Sequence, residues 1–430
     1  MLWQKGLAPA NVVVRGARVV DPVERIDATL DVRIDDGVIA QVAESVDTNE
    51  HRVVDGAGLV LAPAFVDPHV HLRTPGREDE ETVATGTAAA AAGGYCAILA
   101  IPNTDPVIDS AATLQSLVET ARRDARVAVG FMAAITRGQA GEELTEMGEL
   151  ADAGAAAFSD DGVPVASAGM LRRALQYASV TGRPLALHCE EPSLSHGTHM
   201  HMGRVSAELG LAGYPSVAES VMVERDLSLA AAERQPLHLM HLSAAESVAA
   251  LRRAREAGTR SSGEVTPHHL VLTDEAVRTL DPNVKMNPPL RSDADRVALL
   301  DALRDGTIEC VATDHAPHAP HEKDVPFEAA PFGVTGLETA FAALYTHLVE
   351  PGLLPLSTLL ERMSAGPARV FGLERPRVAA GARANLVLLD LGRRWQVERF
   401  HSKSHNSWLL GETLTGAVAM TFAGGSVVHE

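Results

Sequence analysis

Residues 65–76 read FVDPHVHLRTPG, and the rest of the chain is organised around this stretch. An apolar lead-in runs into His69 and His71. If the segment is a β-strand, both histidines lie on one face, because side chains alternate between the faces of a strand. Two imidazoles at this spacing can bind one transition-metal ion. A lone His-x-His pair is more often the solvent-facing side of a strand, so a metal site requires further ligands elsewhere in the chain.

Length, charge and cysteine content exclude several classes of protein. With 430 residues, 46% of them apolar, the chain can form one domain of α/β-barrel size and a smaller one. Its formal net charge of −19 argues against nucleic acid or an anionic membrane as a partner. Three cysteines without a Cys-x-x-Cys pair are typical of buried thiols in a reducing compartment. Without a signal-peptide pattern or a long apolar run, the sequence predicts a cytoplasmic protein.

From residue 65 onward the pattern is strand, loop and helix, repeated. Eight short apolar strands alternating with Ala-rich amphipathic helices predict an α/β fold, a (β/α)8 barrel of the TIM type. Short strands near both ends predict a small β-sandwich domain formed by both termini. We expect its N-terminal part at 1–60, the catalytic barrel at 61–372 and its C-terminal part at 373–430. The barrel strands are predicted near 65–71, 95–101, 127–134, 154–159, 184–189, 236–241, 260–265 and 308–313, with helices near 335–348 and 355–371 after them.

Potential metal ligands follow the ends of five predicted barrel strands, where barrel enzymes carry their active sites. Each residue alone is more often structural, but their recurrence at strand ends favours a metal site. Histidine and carboxylate ligands suit Zn²⁺, and one carboxylate can bridge two ions. Such a centre lowers the pKa of a water and polarises a carbonyl, so the pattern predicts hydrolysis, or its reverse, at an amide-like carbon. The residues are His69, His71, Asp160, Asp161, His188, His241 and Asp314.

Longer motifs extend the pattern over nearly the whole predicted barrel, and their order and spacing make the sequence resemble the class I dihydroorotases of the amidohydrolase superfamily. The resemblance implies the reversible interconversion of L-dihydroorotate and N-carbamoyl-L-aspartate in pyrimidine biosynthesis, with one or two zinc ions and preferably two. The motifs are DPHVHLRTPG (67–76), IPNTDP (101–106), FSDDG (158–162), LHCEE (187–191), MHLS (240–243), EVTPHHL (264–270), KMNPPLR (285–291), DGTIECVATDHAPH (305–318) and GVTGLET (333–339).

The resemblance also implies roles for individual residues. His69, His71 and Asp314 would bind one zinc ion, His188 and His241 would bind the other, and Asp161 would bridge them. Asp314 would also be the general base and then the general acid. For the substrate, the resemblance implies that Arg73, Asn103 and His318 hold its carboxylate, and that Asn287 and the backbone at Phe332 and Gly333 contact the ring.

The sequence departs from the wider superfamily in the bridging residue. Many amidohydrolases bridge their metals with a carboxylated lysine, but no lysine lies between Lys5 and Lys285 here, which favours Asp161 as the substitute. Thr74 occupies a position that is usually acidic in the resembling family. The irregular segment 316–332 is predicted to be a lid over the site.

Two other interpretations of the sequence remain open. The chain could be another cyclic amidase, of the dihydropyrimidinase, hydantoinase or allantoinase type. It could also be an inactive dihydroorotase-like chain that serves as a scaffold for aspartate transcarbamoylase. For an active enzyme, the expected partners are the small-molecule substrate, a second copy of the chain in a homodimer and, as a further option, aspartate transcarbamoylase.

Overall fold

The computed structural model describes residues 1–48 and 51–430. Its strands are β1 (Val12–Asp21), β2 (Ile26–Asp35), β3 (Val38–Ala43), β4 (Arg52–Asp55), β5 (Val60–Pro63), β6 (Phe65–Val70), β7 (Tyr95–Ala100), β8 (Ala128–Ala133), β9 (Ala157–Phe158), β10 (Leu185–Leu187), β11 (Met200–His201), β12 (Gly213–Tyr214), β13 (Leu237–Leu239), β14 (Ser261–Val265), β15 (Cys310–Val311), β16 (Leu386–Gln396), β17 (Thr413–Ala423) and β18 (Ser426–His429).

The α-helices are α1 (Val83–Ala92), α2 (Ala111–Asp124), α3 (Met147–Ala153), α4 (Ala168–Thr181), α5 (Pro192–Ser195), α6 (Arg204–Leu209), α7 (Val217–Glu233), α8 (Ala245–Glu256), α9 (Pro267–Val271), α10 (Asp293–Asp305), α11 (Pro320–Lys323), α12 (Ala340–Leu344), α13 (Leu356–Met363) and α14 (Ala365–Val370). The predicted helix over 335–348 is α12 followed by a π-helical turn at Tyr345–Val349. Within the described residues, no helix is both long and apolar enough to cross a membrane.

Eight parallel strands form the barrel that the sequence predicts, in the spatial order β15-β14-β13-β10-β9-β8-β7-β6. Every residue of β6 and β7 is buried, as expected for parallel strands that are packed on both faces. The two ends of the sheet meet through a bridge between Val70 and His315. Beside it, the Asp67 carboxylate accepts hydrogen bonds from the backbone N and the hydroxyl of Thr313. The (β/α)8 prediction is confirmed.

The strands from both ends of the chain form one further sheet, in the order β18-β17-β16-β5-β1-β2-β3, with β4 beside β1. Its two halves enclose a single core that includes Val14, Ile34, Leu388 and Phe422. The predicted small β domain, assembled from both ends of the chain, is therefore present. β5 belongs to this sheet and leads directly into β6 of the barrel. The domain bounds 1–60, 61–372 and 373–430 stay a prediction.

The helix predicted over 355–371 is two helices, α13 and α14. The chain breaks at Ser364, with φ −125° and ψ −83°, and the Ser364 hydroxyl donates a hydrogen bond to the carbonyl of Ala64 at 2.7 Å. Gly366 then packs so closely that a Cβ there would lie 2.1 Å from the carbonyl oxygen of Glu309. The break places α14 against the base of the barrel, at the end opposite to the candidate ligands.

Candidate active site

The six predicted metal ligands converge inside the C-terminal mouth of the barrel, and all are buried. His69 Nε2 lies 3.3 Å from an oxygen of Asp161 and 3.3 Å from an oxygen of Asp314. His71 Nε2 is 3.1 Å from Asp314 Oδ1. His241 Nε2 is 3.2 Å from Asp161 Oδ1 and 3.0 Å from His188 Nδ1. Strand ends that are distant in sequence therefore bring six donor groups together.

These residues fit a metal ion. The ligand atoms of His69, His71 and Asp314 lie within 4.8 Å of one another, and so do those of His69, Asp161 and His241. Within residues 1–48 and 51–430, the buried His69 Nε2 forms no hydrogen bond, although the carboxylates of Asp161 and Asp314 lie 3.3 Å from it. Because buried polar atoms are normally satisfied, this nitrogen is suited to a metal bond. The imidazole and carboxylate donors are those that transition metals prefer.

Three side chains behind the ligands hold the imidazole rings. The buried Glu264 contacts His69 Nδ1 at 2.7 Å and accepts a hydrogen bond from the backbone N of His241 at 3.2 Å. Asn103 Oδ1 lies 2.9 Å from His71 Nδ1. Such partners fix the tautomer and orientation of a metal-binding histidine.

The third partner is Glu190, whose carboxylate lies 2.8 Å from His188 Nε2. The sequence interpretation assigned no role to Glu190 or Glu264. For Glu264 there was a signal, because it is an acidic residue near the C-terminal end of a predicted barrel strand, β14.

The charges at the site favour a cation. Burial alone would raise the pKa of Glu264, but contacts with His69 and His238 lower that pKa to about 2. Burial would lower the pKa of His188, but hydrogen bonds to Asp161 and Glu190 raise it to about 10. Burial opposes ionisation of Asp161 as well, but the neighbouring imidazoles hold its pKa well below the usual range. In the protein alone these carboxylates are ionised and pair with the protonated imidazoles of His69 and His188, and a metal ion can replace those protons.

The two adjacent aspartates point to different places. Asp160 Oδ1 accepts hydrogen bonds from the backbone N of Ile135 at 2.7 Å and of Thr136 at 3.1 Å, and Asp160 Oδ2 accepts one from the Thr136 hydroxyl. Asp160 thus organises the loop after β8, and burial raises its pKa to about 6. Only Asp161 faces the histidines.

A cavity of about 370 Å³ opens above the ligands. Of the residues to which the resemblance assigns a role, all line this cavity except His69; Asp160, the other candidate at a strand end, does not line it either. The lining residues are His71, Arg73, Asn103, Asp161, Gly162, His188, His241, Asn287, Asp314, Ala316, His318, Pro331, Phe332 and Gly333.

Arg73 enters the cavity from the loop after β6, in a left-handed conformation with φ +56°. Its Nε donates to Pro317 O at 3.1 Å and lies 2.9 Å from Glu80 Oε2. Glu80 is buried and was not singled out from the sequence. Within the described part of the chain neither Nη atom of Arg73 has a hydrogen-bond partner. The Nε side of the guanidinium is therefore held by Pro317 and Glu80, and its Nη atoms are available to a ligand.

The remaining predicted substrate residues lie on loops that other side chains hold. His318 Nε2 lies 2.8 Å from Phe332 O, and its backbone N donates to Asn406 at 3.0 Å. Gly333 has φ +116°, and a Cβ there would lie 2.6 Å from the Cβ of Ala316. Asn287 Nδ2 donates to the carboxylate of Glu190 at 2.8 Å.

Two further points concern the predicted departures and the lid. The Thr74 hydroxyl donates to the carbonyl of Glu81 at 3.4 Å, away from the metal ligands. Segment 316–332 is tied down by two lysines. Lys285 Nζ donates to Phe327 O at 2.8 Å, and Lys323 Nζ donates to Pro331 O at 2.8 Å.

Known proteins resemble this chain over nearly its whole length. A dihydro-orotase-like family model matches residues 58–247. The dihydroorotase of Pelotomaculum thermopropionicum is 46% identical over 422 residues, which cover 98% of this chain and 99% of that protein. The dihydroorotase of Anaeromyxobacter dehalogenans is 47% identical, with 97% of each chain covered.

Among solved structures, an L-hydantoinase (dihydropyrimidinase) from Arthrobacter aurescens superposes with a TM-score of 0.87 at 25% identity, covering 98% of this chain and 96% of that chain. A dihydropyrimidinase from Brevibacillus agri gives a TM-score of 0.82 at 23% identity and supports the fold alone. The structure places a buried His/Asp cluster at the mouth of a (β/α)8 barrel, and the dihydroorotases above match the chain over nearly its whole length. This chain therefore belongs to the dihydroorotase family and is a metal-binding cyclic amide hydrolase of the amidohydrolase superfamily.

Proposed function

We propose that this chain hydrolyses L-dihydroorotate to N-carbamoyl-L-aspartate, reversibly and with zinc, as a step of pyrimidine biosynthesis. The observation that carries the proposal is Arg73. Its guanidinium lines the same cavity as the metal ligands and keeps both Nη atoms unpaired within the described residues. A planar cation in that position is suited to a carboxylate, and dihydroorotate differs from the uncharged ring dihydrouracil by one carboxylate.

For the metal we propose zinc, since its ligands are typically imidazoles and carboxylates. His69, His71 and Asp314 would hold one ion, and His188 and His241 would hold a second, with Asp161 shared between them. When bound, zinc supplies Lewis acidity, which lowers the pKa of a water and polarises the ring carbonyl.

Asp314 is the proposed proton carrier. Neighbouring imidazoles overcome the effect of burial and keep the pKa of Asp314 below its usual value. It is therefore ionised and accepts a proton from the attacking water. The water oxygen bonds to the ring carbonyl carbon, the amide C–N bond breaks, and Asp314 returns the proton to the departing nitrogen. In the reverse direction the same group removes that proton.

Arg73, Asn103 and His318 are proposed to hold the substrate carboxylate. Asn103 already uses its Oδ1 to orient His71, so its Nδ2 is the atom left for the substrate. Asn287 and the backbone at Phe332 and Gly333, which line the same cavity, would contact the ring.

The competing substrates are the uncharged rings of the hydantoinase and dihydropyrimidinase type. The fold is compatible with them, because the superposed hydantoinase shares it. The cavity favours dihydroorotate because a ring that carries no anion would leave the Nη donors of Arg73 buried without an acceptor.

The test compares turnover of dihydroorotate, dihydrouracil and hydantoin by the wild type and two arginine variants. Losing a charge-assisted hydrogen bond costs about 1.5–3 kcal/mol, so Arg73→Ala should lower kcat/KM for dihydroorotate about 10- to 150-fold. Arg73→Lys should recover only part of this, because lysine offers a point charge in place of a planar fork. Metal content should be unchanged in both variants.

The matched control is Arg77→Ala. Arg77 also binds Glu80, at 2.8 Å, but it does not line the cavity, so its loss should have a much smaller effect. A wild type that prefers the uncharged rings would make the chain a hydantoinase-like enzyme. A metal-loaded protein that opens none of the three rings would favour the inactive scaffold.

Several finer assignments belong to the same proposal. We propose a cytoplasmic location, supported by three free, buried cysteines. We also propose a homodimer that can associate with aspartate transcarbamoylase, and the domain bounds given above. Size measurement of the purified protein, alone and mixed with aspartate transcarbamoylase, tests the assembly.

A further inference from the structure

A second cavity, of about 410 Å³, lies outside the active site between the terminal sheet and the barrel helices. β16, β17 and the segment that follows β16 form one wall, and residues that precede α12 form the other. None of its lining residues lines the active-site cavity. The volume is in the range of small-molecule binding sites, which are about 300–1,000 Å³.

The basic and acidic groups of this second cavity differ in whether they already have partners. Two arginines line it, Arg393 and Arg399, and neither forms an ion pair within the described part of the chain. The two acidic residues that line it are already engaged. Glu338 accepts hydrogen bonds from the backbone N of His401 and of Ser402, and Glu430 pairs with Arg52 at 2.7 Å. The two guanidinium groups are therefore available to an anionic ligand, while both carboxylates have partners elsewhere.

Aromatic side chains line the same cavity. Trp395 is half-buried, and its Nε1 donates to the carbonyl of Gly416 at 3.0 Å, which fixes the ring. Phe400 lies on the same wall, and the rings of His401 and His429 meet edge to face with centroids 5.7 Å apart. Fixed aromatic rings beside unpaired guanidinium groups are suited to a planar ring that carries an anionic group.

We propose that this cavity is a second ligand site, for a nucleotide-type molecule with an aromatic ring and a phosphate group, and that its occupancy changes the active site. Trp395 and Phe400 contact the ring. Arg393 and Arg399 bind the phosphate, for which arginine is well suited because its donors form a planar fork.

The segment 400–406, which we call the strap, connects the two cavities. Its first residues line the second cavity, and Ser402 donates a hydrogen bond to the buried carboxylate of Glu81. Glu81 Oε2 lies 3.2 Å from His315 Nε2. The carbonyl of His315 accepts a hydrogen bond from the backbone N of His71 at 2.9 Å. One chain of contacts thus runs from the second cavity to a candidate metal ligand.

The other end of the strap reaches the loops that hold the proposed substrate residues. The Ser404 hydroxyl donates to Glu80 O at 2.7 Å, and the Glu80 carboxylate holds Arg73. Asn406 Nδ2 donates to Ala316 O at 3.1 Å and to Gly333 O at 3.2 Å. A ligand that shifts Phe400 and His401 therefore acts on the geometry of the substrate pocket.

The binding test uses ADP as the probe on the full-length, metal-loaded protein, with adenosine and pyrophosphate as half-ligands. ADP should quench the fluorescence of Trp395, so Trp395→Phe should lose the signal while Trp408→Phe keeps it. By calorimetry, Arg393→Ala and Arg399→Ala should each weaken ADP at least about tenfold, the loss expected for one charge-assisted contact. Adenosine and pyrophosphate should each bind at least about tenfold more weakly than ADP, since each lacks one half of the recognition.

The kinetic test measures dihydroorotate turnover in the same samples with and without ADP. ADP should change KM or kcat of the wild type by about fivefold or more, which is the lower end of typical coupling between sites. The Arg393→Ala/Arg399→Ala double variant should keep wild-type turnover without ADP and lose the response. Turnover without ADP reports on the proposed function alone, so the two proposals fail separately.

Absence of ADP binding at millimolar concentration overturns the second site, and so does equal binding by the double variant. Binding that leaves the kinetics of the wild type unchanged overturns the role of the strap.

Discussion

The adjacent carboxylates Asp160 and Asp161 give a sharp test of the metal centre. Asn has the same size as Asp, and its substitution should weaken metal binding at position 161 and lower protein stability at position 160. Asp161 lies 3.2–3.5 Å from three imidazole nitrogens. In Asp161→Asn, the amide nitrogen cannot bind a metal ion. Losing a residue that only supports a ligand typically costs 10- to 100-fold in metal affinity, so losing this one should cost at least about 100-fold.

Asp160→Asn should leave metal affinity within about threefold of the wild type, well below even a supporting-residue effect, and should lower stability instead. The Asp160 carboxylate accepts three hydrogen bonds from Ile135 and Thr136. Burial disfavours the charge of Asp160 and outweighs these hydrogen bonds, since the pKa of Asp160 is raised to about 6. The expected loss therefore comes from the amide nitrogen of Asn, which cannot accept a hydrogen bond and leaves one of the donors unpaired. We expect a net loss of about 1–2 kcal/mol in the free energy of unfolding.

The assay combines metal content per chain after dialysis against buffered zinc with urea unfolding of the metal-free proteins. Turnover should follow metal content and should be independent of bicarbonate, since no carboxylated lysine is involved. An Asp161→Asn protein with full metal content, or an Asp160→Asn protein that has lost its metal, would refute the assignment of the shared ligand.

Three other results are expected. Gly333→Ala should lower kcat/KM for dihydroorotate at least about tenfold without loss of metal, because the added Cβ would displace the loop that carries His318. Gly352→Ala is the control, since Gly352 also has a positive φ but lies in open space. Equal effects of the two substitutions would contradict a role for the close contact between Gly333 and Ala316. The pKa of Lys323 is lowered to about 7, mainly by burial and further by the charge of Lys285. The native state therefore binds fewer protons than the unfolded state between about pH 7 and 10. Stability should therefore rise with pH across that window in the wild type and not in Lys323→Met, as urea unfolding at both ends of the window will show. Removal of the metal with a chelator should leave His188 protonated, because its pKa is about 10 in the protein alone. Zinc should therefore rebind with release of protons, and more weakly at lower pH. Calorimetry in buffers of different protonation enthalpy measures the proton release, and a binding heat that does not depend on the buffer would contradict it.

The sequence was sufficient to predict the barrel and the proximity of the candidate ligands, for a simple geometric reason. The C-terminal ends of all barrel strands meet at one mouth. Order along the chain therefore predicts proximity in space for residues as distant as His71 and Asp314, 243 positions apart.

The supporting residues could not be predicted in this way. Glu264 contacts His69, which is 195 residues away along the chain, and Asn406 contacts His318, which is 88 residues away. Nothing in the local pattern of either residue indicates which partner it reaches. The break at Ser364 was missed for a related reason, since the hydrogen bond that stabilises it goes to Ala64, 300 residues earlier.

The choice between Asp160 and Asp161 required more than strand periodicity. β9 consists of only two residues, Ala157 and Phe158, so both aspartates lie beyond the strand in a loop. Alternation between faces therefore makes no prediction there. The loop conformation follows from the hydrogen bonds that Asp160 accepts from the neighbouring chain segment, which only the structure shows.

The bridge between Val70 and His315 has a consequence for how the molecule assembles. It joins the first and last barrel strands beside the positions of His71 and Asp314. Closing the loop between His71 and Asp314, which are 243 residues apart, costs only about 2 kcal/mol more in chain entropy than closing a βαβ unit of roughly 30 residues, because the cost grows with the logarithm of length. A nascent chain that ends before β15 therefore lacks both the closed ring and the candidate ligand Asp314.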